Sequence, residues 1–285
     1  MSQKLWEASL STKNKSNLYK FEKFLSSKFN YKASKNYKKI FNWSIKNLDL
    51  FWSSIWDYAN VKGKKNNKFN FTKEFIKNKF LVKSKLNFAD NLFSKNDNSK
   101  AITFISETGY REVRSWKELY ANTSKLINFF KQNNISEKDR IAAYMSNQIE
   151  TVEFFLATST IGAIWSSCSP DFGTLGLIER FSQIKPKILI ITDRYYYNGK
   201  EINILKRLPF IIKKIKSIKT VVIVNYPGKK YLKKIKIKGK RIFNLNKIKK
   251  IEESQIKFKK FDFDHELAIL YSSGTTGKPK CICHR

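Results

Sequence analysis

Residues 271–280 read YSSGTTGKPK. The hydroxyl side chains of Ser272, Ser273, Thr275 and Thr276 are interleaved with Gly274 and Gly277, and Lys278, Pro279 and Lys280 follow. Glycine lets a backbone approach a ligand closely. Consecutive free N–H groups form an anion-binding concavity, and hydroxyls add donors. Lys280 supplies a compact positive charge of the kind used on phosphate. The apolar run Leu267, Ala268, Ile269, Leu270 predicts a buried strand. The stretch therefore reads as a strand entering a polyphosphate cradle. An arbitrary Ser/Thr/Gly-rich segment is only a loop. The common P-loop is excluded, because it needs four residues between its glycines and Ser or Thr after its lysine. Here two residues separate Gly274 from Gly277, and Pro279 follows Lys278.

Upstream of this stretch, strand and helix patterns alternate. Residues 102–105, 141–145 and 164–166 read as short strands, and 187–192 and 221–224 as β-branched strands. Residues 107–109, Glu-Thr-Gly, predict a turn. Ser115 and Glu118 form a capping box that opens a helix with Leu119, Leu126, Ile127 and Phe130 on its apolar face, ending near Asn133 and Asn134. A second helix is predicted over 148–161, with Gly162 ending it, and a third over 174–183, stopped by Pro186. Between residues 192 and 221 the basic stretch reads as helical. Such alternation predicts an α/β fold with a mostly parallel sheet flanked by helices. Loops at the carboxyl ends of parallel strands bind ligands in such sheets, which draws attention to residues 166–173, SSCSPDFG.

Residues 18–59 are aromatic-rich and keep helical spacing through Leu18, Phe21 and Leu25, and again through Phe51, Ile55 and Tyr58. Trp43, Trp52 and Trp56 read as core or docking residues rather than a ligand box. Residues 62–67 read as a linker. The organisation predicted is a helical cap over 1–95 and a main domain over 96–285.

The 285 residues are long enough to bury a sizeable core. With 57 Lys+Arg against 23 Asp+Glu the formal charge is +34, a field that attracts nucleic acid or anionic membrane. The lysines are spread along the chain alongside abundant Asn, Ile, Phe and Tyr, which reads as a compositional habit. Residues 229–260, dense in lysine and isoleucine, read as a surface excursion rather than a partner-binding arm. No specific nucleic-acid partner is expected, and a basic nucleic-acid-binding protein stands as the competing class. Cys168, Cys281 and Cys283 make no disulfide framework, and an odd count implies a reducing compartment. Cys281, Cys283 and His284 lack the spacing of a structural zinc site, so no metal ligands are assigned. On an extended segment both cysteines would face one side as small apolar residues. The apolar run 154–165 is too short to span a bilayer, and the N-terminus has no signal core. A soluble cytoplasmic protein without membrane partners is expected.

The residues also carry a resemblance. YSSGTTGKPK resembles the phosphate signature of the adenylate-forming enzymes. LWEAS at 5–9, FWSSIWDYANVKG at 51–63, LNFADNLF at 86–93, IWSSCSPDFG at 164–173, RFSQIKPKILI at 180–190 and YYYNGK at 195–200 resemble the acetoacetyl-CoA synthetase branch of that superfamily. The resemblance implies a two-step ligase reaction on acetoacetate, ATP and coenzyme A, with Mg2+ accompanying ATP. Acetyl- or propionyl-CoA synthesis is the alternative within the class. It implies that Ser272, Ser273, Gly274, Thr275, Thr276, Gly277 and Lys280 contact ATP phosphates, Lys280 acting catalytically, and that Gly199 and Lys200 lie near the CoA phosphates. In the family the adenine- and ribose-binding segments and a mobile C-terminal domain follow the phosphate loop. The chain is accordingly expected to be an N-terminal portion, with an incomplete adenylate-forming domain that is inactive by itself.

Overall fold

Strands that are hydrophobic on both faces need cover on both faces, and the larger part of the chain is built to that rule. The computed structural model describes residues 5–230, 235–272, 277 and 279–285. It divides into two compact units. One runs to Leu86 and includes Asp262–Asp264; the other comprises Asn87–Phe261 and His265–Arg285.

The larger unit centres on a seven-stranded sheet. Its strands are β1 (Arg140–Tyr144), β2 (Ile164–Cys168), β3 (Ile188–Thr192), β4 (Thr220–Val224), β5 (Arg241–Asn244), β6 (Ala268–Ser272) and β7 (Lys280–His284). The spatial order is β5-β4-β3-β1-β2-β6-β7, parallel except for the antiparallel β6–β7 pair at one edge. The helices of this unit used below are α1 (Trp116–Gln132), α2 (Ile149–Thr160), α3 (Thr174–Ile184), α4 (Leu208–Lys214) and α5 (Leu245–Ile248). Side chains alternate across the sheet. Ile141, Ala143, Ile188, Ile190, Val222 and Val224 enter one core with Leu126 and Phe130 of α1 and Phe154 and Leu156 of α2. Ala142, Tyr144, Leu189, Ile191, Val221 and Ile223 enter the other with Leu177 and Phe181 of α3 and Leu208 and Ile211 of α4. The α/β architecture with a mostly parallel, helix-flanked sheet is thus as the sequence predicts.

Local chemistry sets the helix ends. Ser115 Oγ accepts from the Glu118 N–H at 3.2 Å, and the Glu118 carboxylate accepts from the Ser115 N–H at 2.8 Å, so both halves of the capping box form. Gly162 follows α2 with φ +71°, and a Cβ added there would lie 2.4 Å from the Phe261 ring. Its carbonyl oxygen is 2.9 Å from His265 Nε2.

Several expectations are corrected. The strand at 102–105 and the turn at 107–109 are as expected, but the partner strand Arg111–Ser115 of that antiparallel hairpin, and the whole antiparallel hairpin of Arg194–Tyr197 with Lys200–Asn203, are not among the expected elements. Their turn residues carried the signal, but the partner strands are short and polar. The lysine-rich segment is more than a surface excursion. It contributes edge strand β5, and Leu245 and Ile248 of α5 are buried. The run 267–270 is not buried throughout, since Leu270 is 46% exposed and β6 is otherwise half-buried. Cys281 and Cys283 are exposed on β7 rather than packed.

The smaller unit is helical over Asn17–Lys28, Tyr37–Lys46 and Leu48–Tyr58. Phe21, Leu25, Tyr31 and Ile40 form its buried centre, with Trp43, Phe51, Ile55 and Tyr58 packed around them. Trp56 is buried, whereas Trp52 is 41% exposed and meets the Phe80 ring edge-on at 5.7 Å. Glu22 is also buried, its carboxylate accepting from the Tyr31 hydroxyl and the N–H groups of Ser34 and Lys35. This unit is not wholly helical, as Lys68–Asn70 pairs with Lys79–Val82 and Gly63–Lys64 with Lys85–Leu86. Residues 62–67 are therefore no free linker, and Ser53 Oγ donates to Asn67 Oδ1 at 3.1 Å. Among the described residues no helix is long and apolar enough to cross a membrane.

Candidate nucleotide and thiol sites

Two neighbouring strands position the first candidate site. Ser272 ends β6, and Lys280 begins β7 directly opposite it in the antiparallel register. Opposed residues in such a pair stand about 5 Å apart, so a hydroxyl and an ammonium-bearing side chain flank one end of the hairpin. Ser272 is half-buried and Lys280 exposed. Gly277 has φ +113°, a conformation that favours glycine, and a Cβ added there would meet nothing within 4 Å. Ser273, Gly274, Thr275 and Thr276 lie outside the described residues, as does Lys278. The described part fits a polyphosphate: an open approach at Gly277, an exposed cation at Lys280 and the Ser272 hydroxyl.

The hairpin is tied to the sheet and to α3. Ser166 Oγ of β2 donates to the Ile269 carbonyl at 2.8 Å and lies 3.0 Å from the Tyr271 hydroxyl. Burial raises the Tyr271 pKa, so the phenol stays protonated and serves as a hydrogen-bonding strut. On α3, Gln183 Nε2 donates to the Pro279 carbonyl at 3.0 Å. The Arg180 guanidinium sits 4.2 Å from the Phe172 ring centroid and 5.8 Å from that of Tyr271.

The corner 166–173 follows β2 and leads into α3. The Tyr144 hydroxyl reaches the Pro170 and Phe172 carbonyls at 3.0 and 2.7 Å. Arg207 Nη1 donates to the Tyr144 hydroxyl and, at 3.1 Å, to the Pro170 carbonyl. The Ser169 hydroxyl donates to Asp171 at 2.6 Å. Tyr144 and Arg207 thus fix the backbone of the corner. Nothing in the spacing of these two residues revealed that role; it arises from strand β1 and the chain before α4 meeting in three dimensions.

The second candidate site lies on the hairpin after β3. Asn198 and Gly199 form its two-residue turn with φ +50° and +73°, the left-handed pair of a type I′ turn. Lys200 is exposed and pairs with Tyr197. Beneath the turn, Arg194 joins Asp193 at 3.1 Å and Glu201 at 3.2 Å. Asp193 is fully buried; burial pushes its pKa up, while the Tyr226 N–H and Arg194 pull it back. The turn's Asn198 and Gly199 N–H groups donate to the Glu107 carboxylate at 3.2 and 3.0 Å. The structure thus brings Ser272, Gly277 and Lys280 into one hairpin and puts Gly199 and Lys200 on another. Among the described residues no group of three or more His, Cys, Asp or Glu side chains is placed to hold a metal.

Comparison with known proteins adds to this geometry. The family model described as AMP-binding enzyme matches residues 93–285. The acetoacetyl-coenzyme A synthetase of Rhizobium meliloti is 36% identical over 250 residues, covering 87% of this chain and 38% of the relative. The acetoacetyl-CoA synthetase of Gallus gallus is 34% identical over 257 residues with the same coverage. A solved structure titled acetoacetyl-CoA synthetase from Streptomyces lividans superposes with a TM-score of 0.90 at 24% identity, over 99% of this chain and 43% of that one. The chain spans about two fifths of the length of these proteins.

Proposed function

The chain belongs to the AMP-binding enzyme family, and from that premise we propose that it serves an AMP-forming ligase joining acetoacetate to coenzyme A. In the first step a carboxylate oxygen of acetoacetate attacks the α-phosphorus of ATP and pyrophosphate leaves. In the second step the CoA thiolate attacks the acyl carbonyl, and AMP leaves with the electron pair of the broken C–O bond. The observation that carries this reading is the β6–β7 hairpin, with Ser272 opposite Lys280 in the stretch that matches the family. Donors aimed at the departing pyrophosphate, where charge develops, lower the barrier without reorganising at the moment of reaction. Lys280 supplies charge there, Ser272 a hydroxyl, and Gly277 room for the phosphates. Mg2+ would travel with ATP and neutralise part of its charge. Ser273, Gly274, Thr275 and Thr276 complete the cradle in this reading. Gly199 and Lys200 face the CoA phosphates. The choice of acetoacetate over acetate or propionate rests on the names of the relatives.

Lys280→Ala in the whole protein is expected to lower acetoacetate-dependent ATP–pyrophosphate exchange by on the order of 100-fold. An unchanged exchange rate would remove Lys280 from the mechanism. The activity belongs, in this proposal, to a protein of the relatives' length, and the 285 residues by themselves are expected to give no exchange. A reducing, cytoplasmic setting is part of this proposal and rests on the odd count of three cysteines in the sequence.

A further inference from the structure

The turn at Asn198 and Gly199 already holds an anion. Both carboxylate oxygens of Glu107 are engaged, Oε2 by the Asn198 N–H at 3.2 Å and Oε1 by the Gly199 N–H at 3.0 Å. Two successive backbone donors converging on one anionic group form a nest, a geometry that also accepts phosphate oxygens. The donors converge because both turn residues have positive φ, which aims their N–H groups outward from the hairpin. Glu107 is not part of this hairpin. It reaches across from the turn between Lys100–Ile105 and Arg111–Ser115. It is exposed, as are Asn198, Gly199 and Lys200. A Cβ added at Gly199 would meet nothing within 4 Å, so the space beside the turn is open. Lys200, next in the chain, adds positive charge to the same end of the hairpin.

We propose that Glu107 is an internal competitor that occupies the anion seat of the 198–200 turn until a phosphate monoester or diphosphate group displaces it. This rests on the reading that Gly199 and Lys200 face the phosphates of coenzyme A, and adds to it a carboxylate that raises the threshold for binding. A phosphate brings more charge and more acceptor oxygens than a carboxylate, so it gains more from two N–H donors and Lys200 together. The exposure of Glu107 keeps its hold weak enough to be broken, since exposed charged contacts contribute little.

The test titrates the 285-residue protein with coenzyme A, and separately with inorganic pyrophosphate, while following the amide signals of Asn198 and Gly199 by NMR. Glu107→Gln keeps an acceptor for the turn but removes the charge. It is expected to tighten binding of both probes about 2- to 5-fold, and Lys200→Ala to weaken it. Pyrophosphate is expected to shift both amide signals in the wild type. If Lys200→Ala leaves CoA binding unchanged while Glu107→Gln still tightens pyrophosphate binding, the CoA reading fails and the anion seat stands. If Glu107→Gln leaves both affinities unchanged or weakens them, Glu107 is a structural clip and the proposal is overturned. Thermal melting of both variants distinguishes lost binding from lost folding.

Discussion

Single side chains in the larger unit have environments that fix their chemistry. Glu153 of α2 is buried beside Glu150, with Arg114 Nε at 3.0 Å and Asn122 at 2.8 Å. Glu112 lies on the other side of Arg114 at 2.9 Å, and Lys249 reaches Glu150 at 3.2 Å. Burial, then repulsion from Glu150, pushes the Glu153 pKa up to about 7, against the pull of Arg114, Asn122 and Lys249. The folded protein therefore holds this proton more tightly than the unfolded chain. The resulting stability is present below about pH 4.5 and is lost as pH rises to about 7. The decline is expected to be on the order of 2–3 kcal/mol. Glu153→Gln should flatten it, as read from urea midpoints at pH 5 and 7.5. The thiols differ in the same way. Cys168 is 4% exposed and its thiol is pushed up to about 12 by burial, whereas Cys281 and Cys283 are exposed. A disulfide reagent at pH 8 should titrate two thiols in the native protein and the third only after denaturation. None of this was legible in the sequence. Glu153 looks like any helical carboxylate until Arg114 is brought against it from the strand Arg111–Ser115.

At the scale of elements the sequence was more informative, because caps and periods are local. Ser115 with Glu118 marked the start of α1, and the helix begins where the box predicts. Ser115→Ala should cost about 1 kcal/mol in chemical denaturation. Gly162 likewise marked the end of α2, and both its φ and the nearby Phe261 ring exclude a side chain there. The missed elements share a physical cause. The strands Arg111–Ser115 and Lys200–Asn203 are mostly polar, at most half-buried apart from Arg114, and stabilised by a neighbouring strand rather than by their own hydrophobic pattern. Strand β5, reading Arg-Ile-Phe-Asn, was hidden by the lysine-dense sequence on either side of it, while its backbone pairs with β4. The candidate site divides along the same line. The glycine, hydroxyl and lysine pattern of 271–280 is readable as text. The Tyr144–Arg207 brace of the 166–173 corner depends on residues 63 positions apart. Tyr144→Phe should loosen that corner and cost about 1–3 kcal/mol, measurable by denaturation and by faster proteolysis near Pro170.

For the molecule as a whole, the formal charge of +34 comes from lysines and arginines spread along the sequence of both units. Long-range attraction to nucleic acid should follow at low salt, with the steep salt dependence of non-specific contacts. Retention on immobilised DNA is expected to vanish by about 0.2 M salt. Retention that resists salt would favour the nucleic-acid-binding class instead. The fold class was readable because apolar runs and helical periods alternate over most of the larger unit. The division at Leu86 was not, since residues 62–86 mix short strands with polar turns.

The double-sided sheet has one more consequence, and it concerns folding errors. Strands β3 and β4 are aliphatic on both faces, and each face enters a core of similar chemistry. A slip of one residue along such a strand would exchange its faces without bringing an apolar group into water. Hydrophobicity alone therefore does not select the register, and shape and buried polar contacts must do so. Asp193, directly after β3, accepts from the Tyr226 N–H beyond β4 at 2.8 Å and acts as an indexing mark. The slow step in assembling this unit should then be proofreading of strand alignment rather than collapse.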